Sequence, residues 1–369
     1  MYRRIALSSL VAALACARGE SGPATHTAIA ADTTAGPEAP ASVALATAGT
    51  MSPSAETPAG APAASAPGAR APNELGRIPI FEYHLIGEKN AEYERERTQF
   101  RKDLELMYER GYRPISVSEM LDEKIDLPAG LSPMVLVFDD ASPSQFRYIE
   151  RNGKLEIDPT SAVGILLDFA KTHPGWRNRA VFCMLPAAQA GRSFFGDKGI
   201  EGQKTEWRYQ KVRFLHEQGF ELCNHTLYHA RLDRAGEKVQ EFIARGDMAI
   251  DSVVPGYRVR TMALPLGMWP KNRELAHQGS WRDPKSGKVI SYRYDAILEV
   301  AGGPARSPYD PKFNPLSIPR VPVVGNVVQQ TINQLEKSGT GYVSDGNPAT
   351  VARPAQVAAA PAKPPAAKA

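Results

Sequence analysis

The sequence predicts an α/β fold in which a parallel sheet closes, or nearly closes, into a TIM-like barrel. Three observations carry that expectation. Short apolar runs alternate with helical patterns about seven times between Arg77 and Tyr342, and alternation of this kind builds parallel sheets. Met134-Val135-Leu136-Val137-Phe138 is a continuous apolar run, as expected of a strand covered on both faces. Eight prolines and no aromatic residue fall between Ala17 and Glu74, and a second Ala/Pro stretch runs from Val343 to Ala369. Neither stretch can bury enough apolar surface to offset the entropy of ordering, so 17–76 is read as a disordered linker and 343–369 as a disordered tail. That leaves 77–342 as the folded block, a size that suits one barrel.

The elements follow in order along the block. Ile78 to His84 reads as the first strand. Thr98 is placed to cap a helix with Phe100, Leu104, Met107 and Tyr108 on one face, and Gly111 ends it. Arg113 to Ser116 is a short strand, Ser118 to Leu121 a short helix, and Met134 to Phe138 a central strand. Pro159 to Thr172 is helical, with Ile165, Leu166 and Phe169 apolar. Ala180 to Leu185 is a strand, Thr205 to Gln218 a helix stopped by Gly219, and Phe220 to Cys223 the next strand. Glu237 to Val253 is a helix. Thr261 to Leu264, Ala296 to Val300 and Leu316 to Val321 are strands, and Val327 to Leu335 closes the block as a helix.

Upstream, Arg3-Arg4 and the apolar run Ile5 to Ala15 form an export signal over 1–16. Its end, Ala13-Leu14-Ala15-Cys16, resembles a bacterial lipoprotein lipobox, although Leu14 stands two rather than three residues before Cys16. Two readings lead, lipidation at Cys16 or an ordinary cut near Ala15, ahead of a chain that is not exported. Either one puts the folded part outside the cytoplasm, with membrane attachment only through that anchor. In an oxidising compartment Cys183 and Cys223 are expected as packed, reduced thiols, a disulfide depending on their Cα separation. The formal charge of +4 is small for 369 residues and includes no Lys/Arg run, which argues against nucleic acid as a partner. No segment approaches the roughly 20 apolar residues that span a bilayer. A monomer is expected.

In barrels of this type the chemistry sits at the C-terminal ends of the strands. Asp139 and Asp140 follow the central strand, Asn224 to His229 follow Phe220 to Cys223, and Tyr83-His84 end the first strand. A buried carboxylate pair is costly unless a cation or donors compensate. His225 and His229, in a His-x-x-x-His pair one helical turn apart, can grip one divalent ion. Asp plus two His leaves coordination positions open, the layout of a catalytic site. A water held there loses its proton near neutral pH, and the second Asp can take that proton.

Val137-Phe138-Asp139-Asp140 resembles the Thr-Phe-Asp-Asp-Gly motif of polysaccharide deacetylases, the NodB-homology or carbohydrate esterase family 4. Asn224-His225-Thr226-Leu227-Tyr228-His229 is similar to that family's His-(Ser/Thr)-x-x-x-His motif, and Ile78 to Ile86 to its opening Tyr-His strand. The resemblance implies a distorted (β/α)7 barrel and metal-dependent removal of acetyl groups from a sugar polymer. It makes Asp139 the catalytic base and Asp140, His225 and His229 the ligands of a divalent metal, usually zinc. The substrate it implies is an acetylated polysaccharide, most readily N-acetylated.

Two departures stand out. Ala263-Leu264-Pro265-Leu266-Gly267 occupies the third motif, so the Arg that orients the base is absent, while the Leu266 backbone N–H can still serve an oxyanion. Leu316 to Arg320 stands where the family carries the His that protonates the leaving amine. His84 is the candidate substitute, the other reading being a packed histidine bonded to its own loop. Arg320 is expected to touch Asp139 or a substrate carboxylate, or to be solvated. Trp269, two residues beyond Gly267, is the best sugar-stacking candidate ahead of Trp207 and Trp281, with core or rim packing the default reading of all three. No Gly-x-Ser-x-Gly elbow offers a serine nucleophile. The rival function is a barrel that has lost turnover and binds glycan as a surface lipoprotein.

Overall fold

The computed structural model describes residues 70–187 and 193–354. The expected signal peptide with Cys16, the linker up to residue 69, residues 188–192 and residues 355–369 lie outside the described residues.

The strands and helices are β1 (Ile80–Tyr83), β2 (Leu85–Gly87), β3 (Glu94–Glu96), α1 (Arg97–Glu109), β4 (Tyr112–Pro114), α2 (Val117–Leu121), β5 (Ser132–Phe138), β6 (Tyr148–Arg151), β7 (Lys154–Ile157), α3 (Ala162–Thr172), β8 (Val181–Met184), α4 (Arg208–Glu217), β9 (Glu221–Asn224), α5 (Val239–Val253), β10 (Thr261–Ala263), β11 (Gln278–Arg282), β12 (Val289–Arg293), β13 (Ala296–Leu298), β14 (Val321–Pro322) and α6 (Val327–Ser338). Seven of the strands form one parallel sheet in the order β13-β10-β9-β8-β5-β1-β14, with β4 added alongside β5. A parallel bridge between Leu298 and Ile318 joins the far edge to the segment leading into β14, and β14 pairs with β1 through Phe81–Val321 and Glu82–Pro322. The sheet is therefore the distorted (β/α)7 barrel expected.

Strand alternation sorts the side chains into two cores. Phe81, Leu136, Phe138, Phe182, Leu222, Met262 and Ile297 face outward and pack under the helices. Ile80, Val135, Val137, Val181, Cys183, Cys223, Ala263 and Leu298 fill the interior. All seven residues of β5 are buried, which is why its apolar run is unbroken.

The local signals act where they were read, with exceptions. Glu96, not Thr98, precedes α1 as its N-cap and makes no side-chain cap bond; Thr98 lies inside the first turn. Ser116 and Glu119 form a reciprocal capping box on α2, and Ser161 caps α3, which starts after Pro159. The expected strand Leu316–Val321 is reduced to two residues, because Pro315, Pro319 and Pro322 lack the N–H a ladder needs. The body also reaches past 77–342. Asn73 and Val343 exchange backbone bonds of 2.8 and 3.0 Å, and the buried Glu74 carboxylate accepts from Ala352 N and Tyr342 OH.

Cys183 and Cys223 are joined by a disulfide, not reduced as expected. They are direct register partners on β8 and β9 with Cα atoms 4.3 Å apart, which brings the two inward-facing sulfurs together.

Candidate active site

The same alternation that fills the interior builds the site at its rim. Continuing the inward face of each strand leads from Ile80 to Glu82 and His84, from Val137 to Asp139, and from Cys223 to His225. Asp140 is out of phase and reaches the site by a break in the strand. Its φ is 80°, and Ala141 follows at 45°. Thr226, His229 and Leu266 also carry positive φ. Such conformations cost non-glycine residues about 1–3 kcal/mol each and gather where a site holds its side chains at an imposed angle. The 225–229 segment is thus a turn with left-handed residues rather than the helical turn its spacing suggested. Asn224 fixes it: its side-chain oxygen accepts from Thr226 N at 2.7 Å, and its amide donates to Asp247, Ile243 O and Tyr294.

Asp140, His225 and His229 converge, with one ligand atom of each within 4.8 Å of the others. Asp140 Oδ1 lies 3.6 Å from His225 Nε2 and 3.5 Å from His229 Nε2. The other His225 nitrogen, Nδ1, bonds the Ala263 carbonyl at 2.9 Å, which turns Nε2 toward the carboxylate. A histidine ligand braced in this way by a carbonyl, a carboxylate beside it and a second imidazole form a donor set that fits a divalent cation.

Asp139 lies beside this group and is not free to turn. It is buried, its N–H donates to Tyr83 O at 3.0 Å, and its Oδ1 accepts from Arg320 Nη1 at 2.9 Å. Burial by itself would raise its carboxyl; the Arg320 guanidinium, with His225 and His84, holds it below the ordinary carboxylate value. Arg320 is itself fully buried, and its Nε donates to Glu299 O at 2.5 Å. It has no surface left for a substrate, so of the expected alternatives only the Asp139 contact is realised. The cation missing at Ala263 thus enters from the last strand.

His84 groups with Glu82 and Asp139, its Nε2 3.6 Å from Glu82 Oε1 and its ring in a T-shaped contact with Tyr93. Burial pushes its imidazole down, with Asp139 and Asp140 opposing. Leu266 is half exposed in the turn after β10, and among the described residues its N–H has no hydrogen-bond acceptor. Trp269 donates its indole N–H to Glu299, and the Arg273 guanidinium stacks on its ring at 3.8 Å, so one face is already covered. Trp207 is buried and Trp281 partly so.

Two residues here escaped the sequence reading. Glu82 is buried 3.3 Å from Arg320 Nη2, its inward position implied by strand alternation once Ile80 is placed inside. Gln145 is buried in the loop after β5 and donates to the carbonyls of both His84 and Asp139, at 2.7 and 2.5 Å. Nothing in its local sequence marks it.

No protein-family model and no curated protein matches the chain. Among solved structures it is similar to the deacetylase PplD of Streptococcus pyogenes in complex with acetate, at 18% identity, covering 72% of this chain and 98% of that one with a TM-score of 0.49. It is similar also to a polysaccharide deacetylase of Bacillus cereus, at 15% identity, 71% and 68% coverage and a TM-score of 0.48. A third likeness is to IcaB of Ammonifex degensii, at 17% identity, 70% and 96% coverage and a TM-score of 0.47.

Proposed function

We propose that the chain is a polysaccharide deacetylase that hydrolyses acetyl groups, N-linked ones in first place, from a polysaccharide outside the cytoplasm. The observation that carries this reading is the convergence of Asp140, His225 and His229 beside a separate carboxylate, Asp139, that Arg320 keeps ionised.

Asp140, His225 and His229 are the residues that would hold the divalent metal, zinc being the first expectation. Such an ion supplies Lewis-acid polarisation of the acetyl carbonyl and lowers the pKa of water. Asp139 takes the proton of the attacking water, a task that needs an ionised carboxylate held at a fixed angle. The Leu266 N–H donates to the oxygen on which negative charge develops. His84 gives a proton to the leaving nitrogen as the C–N bond breaks, so acetate and a free amine part. Trp269, on the rim, offers its uncovered face to a sugar ring.

The rival reading, a glycan-binding barrel without turnover, drew support from the missing orienting Arg. Arg320 on Asp139 weakens that support. Export follows from the N-terminal pattern, with attachment through Cys16 as the favoured form and a monomer as the working unit.

The test is acetate release from N-acetylglucosamine oligomers by protein loaded with zinc, before and after chelation. Chelator-sensitive release that Asp140→Ala abolishes is expected. Protein that binds no divalent metal, or an Asp140→Ala variant with full turnover, sinks the reading.

A further inference from the structure

Lys211 is a fully buried amine that the proposed reaction does not use. It stands one turn into α4, and its Nζ donates to Phe195 O at 2.6 Å and to Gln203 Oε1 at 2.7 Å. Lysine is almost never buried to this extent, since an amine out of water is costly. Burial pushes it down to about 7. Amine and ammonium alike carry the two N–H donors that these contacts need.

The residue that Lys211 grips is itself in a costly conformation. Phe195 has a φ of 66°, and Phe194 before it 46°. The Phe195 N–H donates to Ala141 O at 2.8 Å. Ala141 and Asp140 are the other left-handed pair, the break in the strand that carries Asp140 to His225 and His229. Two such pairs of non-glycine residues therefore meet at this bond, and conformations of this kind persist only where their surroundings impose them. Phe195 is held on both sides, by Ala141 at its N–H and by Lys211 at its carbonyl. The chain after β8 also touches the histidine turn, where Ala187 N donates to Leu227 O at 3.1 Å.

We propose that Lys211 is a positioning residue for Asp140, acting through Phe195 on the turn that aims this carboxylate at His225 and His229. The inference rests on the ligand role given to Asp140 under the proposed function. Every link is a hydrogen bond, from Lys211 Nζ to Phe195 O and from Phe195 N to Ala141 O, the residue next to the ligand. The brace runs from a helix that follows β8 to a turn that follows β5, so it locks the loops of two neighbouring strands together.

The experiment takes the full chain stripped of metal, with zinc alone as the probe. It compares the parent with Lys211→Met and Gln203→Met by equilibrium dialysis and urea unfolding. Lys211→Met keeps a cooperative unfolding transition, and its zinc dissociation constant rises by about 10- to 100-fold, the scale of losing a partner behind a metal ligand. Gln203→Met removes the other acceptor of Lys211 and two bonds to Tyr148, but lies off the path to Asp140. It lowers stability and keeps the parent's zinc affinity. A second measurement needs no variant and covers the case where Lys211→Met does not fold. Zinc and the Lys211 contact favour the same turn, so linkage requires zinc to slow hydrogen exchange at the Lys211 amine and the Phe195 amide, read by nitrogen NMR of the parent. Parental zinc affinity in a folded Lys211→Met, an equal loss of affinity in Gln203→Met, or exchange that zinc leaves unchanged at either group overturns the proposal. A parent that binds no zinc, or whose zinc binding survives Asp140→Ala, overturns the ligand role of Asp140 and the proposed function with it.

Discussion

Replacing Arg320 with Met removes the only cation among the described residues in hydrogen-bond contact with Asp139 and leaves a carboxylate with 1% exposure behind. At 2.9 Å, a charge pair in an effective dielectric of 20 is worth roughly 6 kcal/mol before desolvation is subtracted. Losing one partner of a buried pair costs about 3–5 kcal/mol, because the other charge stays buried. Arg320 also loses its contacts to Glu82 and the Glu299 carbonyl, so the upper half of that range is expected. The penalty depends on pH with a definite sign. In the parent, the Asp139 carboxyl lies below its unfolded value, so its stabilisation is present above that value and disappears as pH falls through the folded one. In Arg320→Met, burial dominates and the folded value rises above the unfolded one. Stability is then retained at low pH and lost as pH increases through the raised value. Urea unfolding of metal-free protein at about pH 4 and about pH 7 checks this, and the gap between variant and parent widens at the higher pH. With Asp139 as the proposed base, the acid limb of kcat/KM moves upward with it. A variant within about 1 kcal/mol of the parent at both pH values, with an unmoved acid limb, refutes the assignment of Arg320 as the ion that holds Asp139.

His229→Ala, the more exposed of the two histidines, lowers zinc affinity and acetate release together, by about 100-fold or more; equilibrium dialysis against a chelator measures the first. The double variant Cys183→Ala/Cys223→Ala loses about 2–4 kcal/mol of stability, and reductant lowers the melting temperature of the parent but not of the variant. Asp247, whose carboxyl burial pushes up to about 7, contributes stability that is complete below its unfolded value and lost as pH rises through 7. Asp247→Asn therefore flattens the stability profile between pH 5 and 8, as thermal melts across that range will show, unless the carboxyl ionises at an ordinary value.

What the sequence made legible depended on whether the cause was local. Continuous apolar runs located the central strands because burial on both faces demands them, and the two site motifs sit at strand ends where polar residues interrupt those runs. Strand alternation also carried more than was read from it. Once Ile80 and Val137 are inside, Glu82 and Asp139 must be inside too. The β6–β7 hairpin had a local signal that went unused: Asn152-Gly153, both with positive φ, between two extended runs. The fate of Cys183 and Cys223 had none, since it depends on the register of β8 against β9. Gln145 was equally hidden, because the carbonyls it braces belong to strands brought together only by the sheet. The extra turns of chain at both ends were missed for a compositional reason: Asn73 and Glu74 lie in a proline-rich stretch, yet their bonds are made with Val343 and Ala352.

The replacement of an orienting Arg by Ala263 looked like a loss when the motif was considered alone. In space, the requirement is only that one cation reach Asp139, and any inward position on a neighbouring strand can satisfy it. Ala263 now has a different duty, since its carbonyl holds His225 Nδ1. The guanidinium comes instead from the seam where β14 meets β1, a pairing of just two register positions that includes a proline. So short a ladder supplies little closure of its own. Arg320 spans it, 3.3 Å from Glu82 on β1 and 2.9 Å from Asp139 just after β5. The guanidinium that holds the Asp139 carboxylate is therefore also a polar tie across the closing seam. Losing it should loosen the barrel and mis-set the chemistry together, which a substitution at the metal ligands should not do.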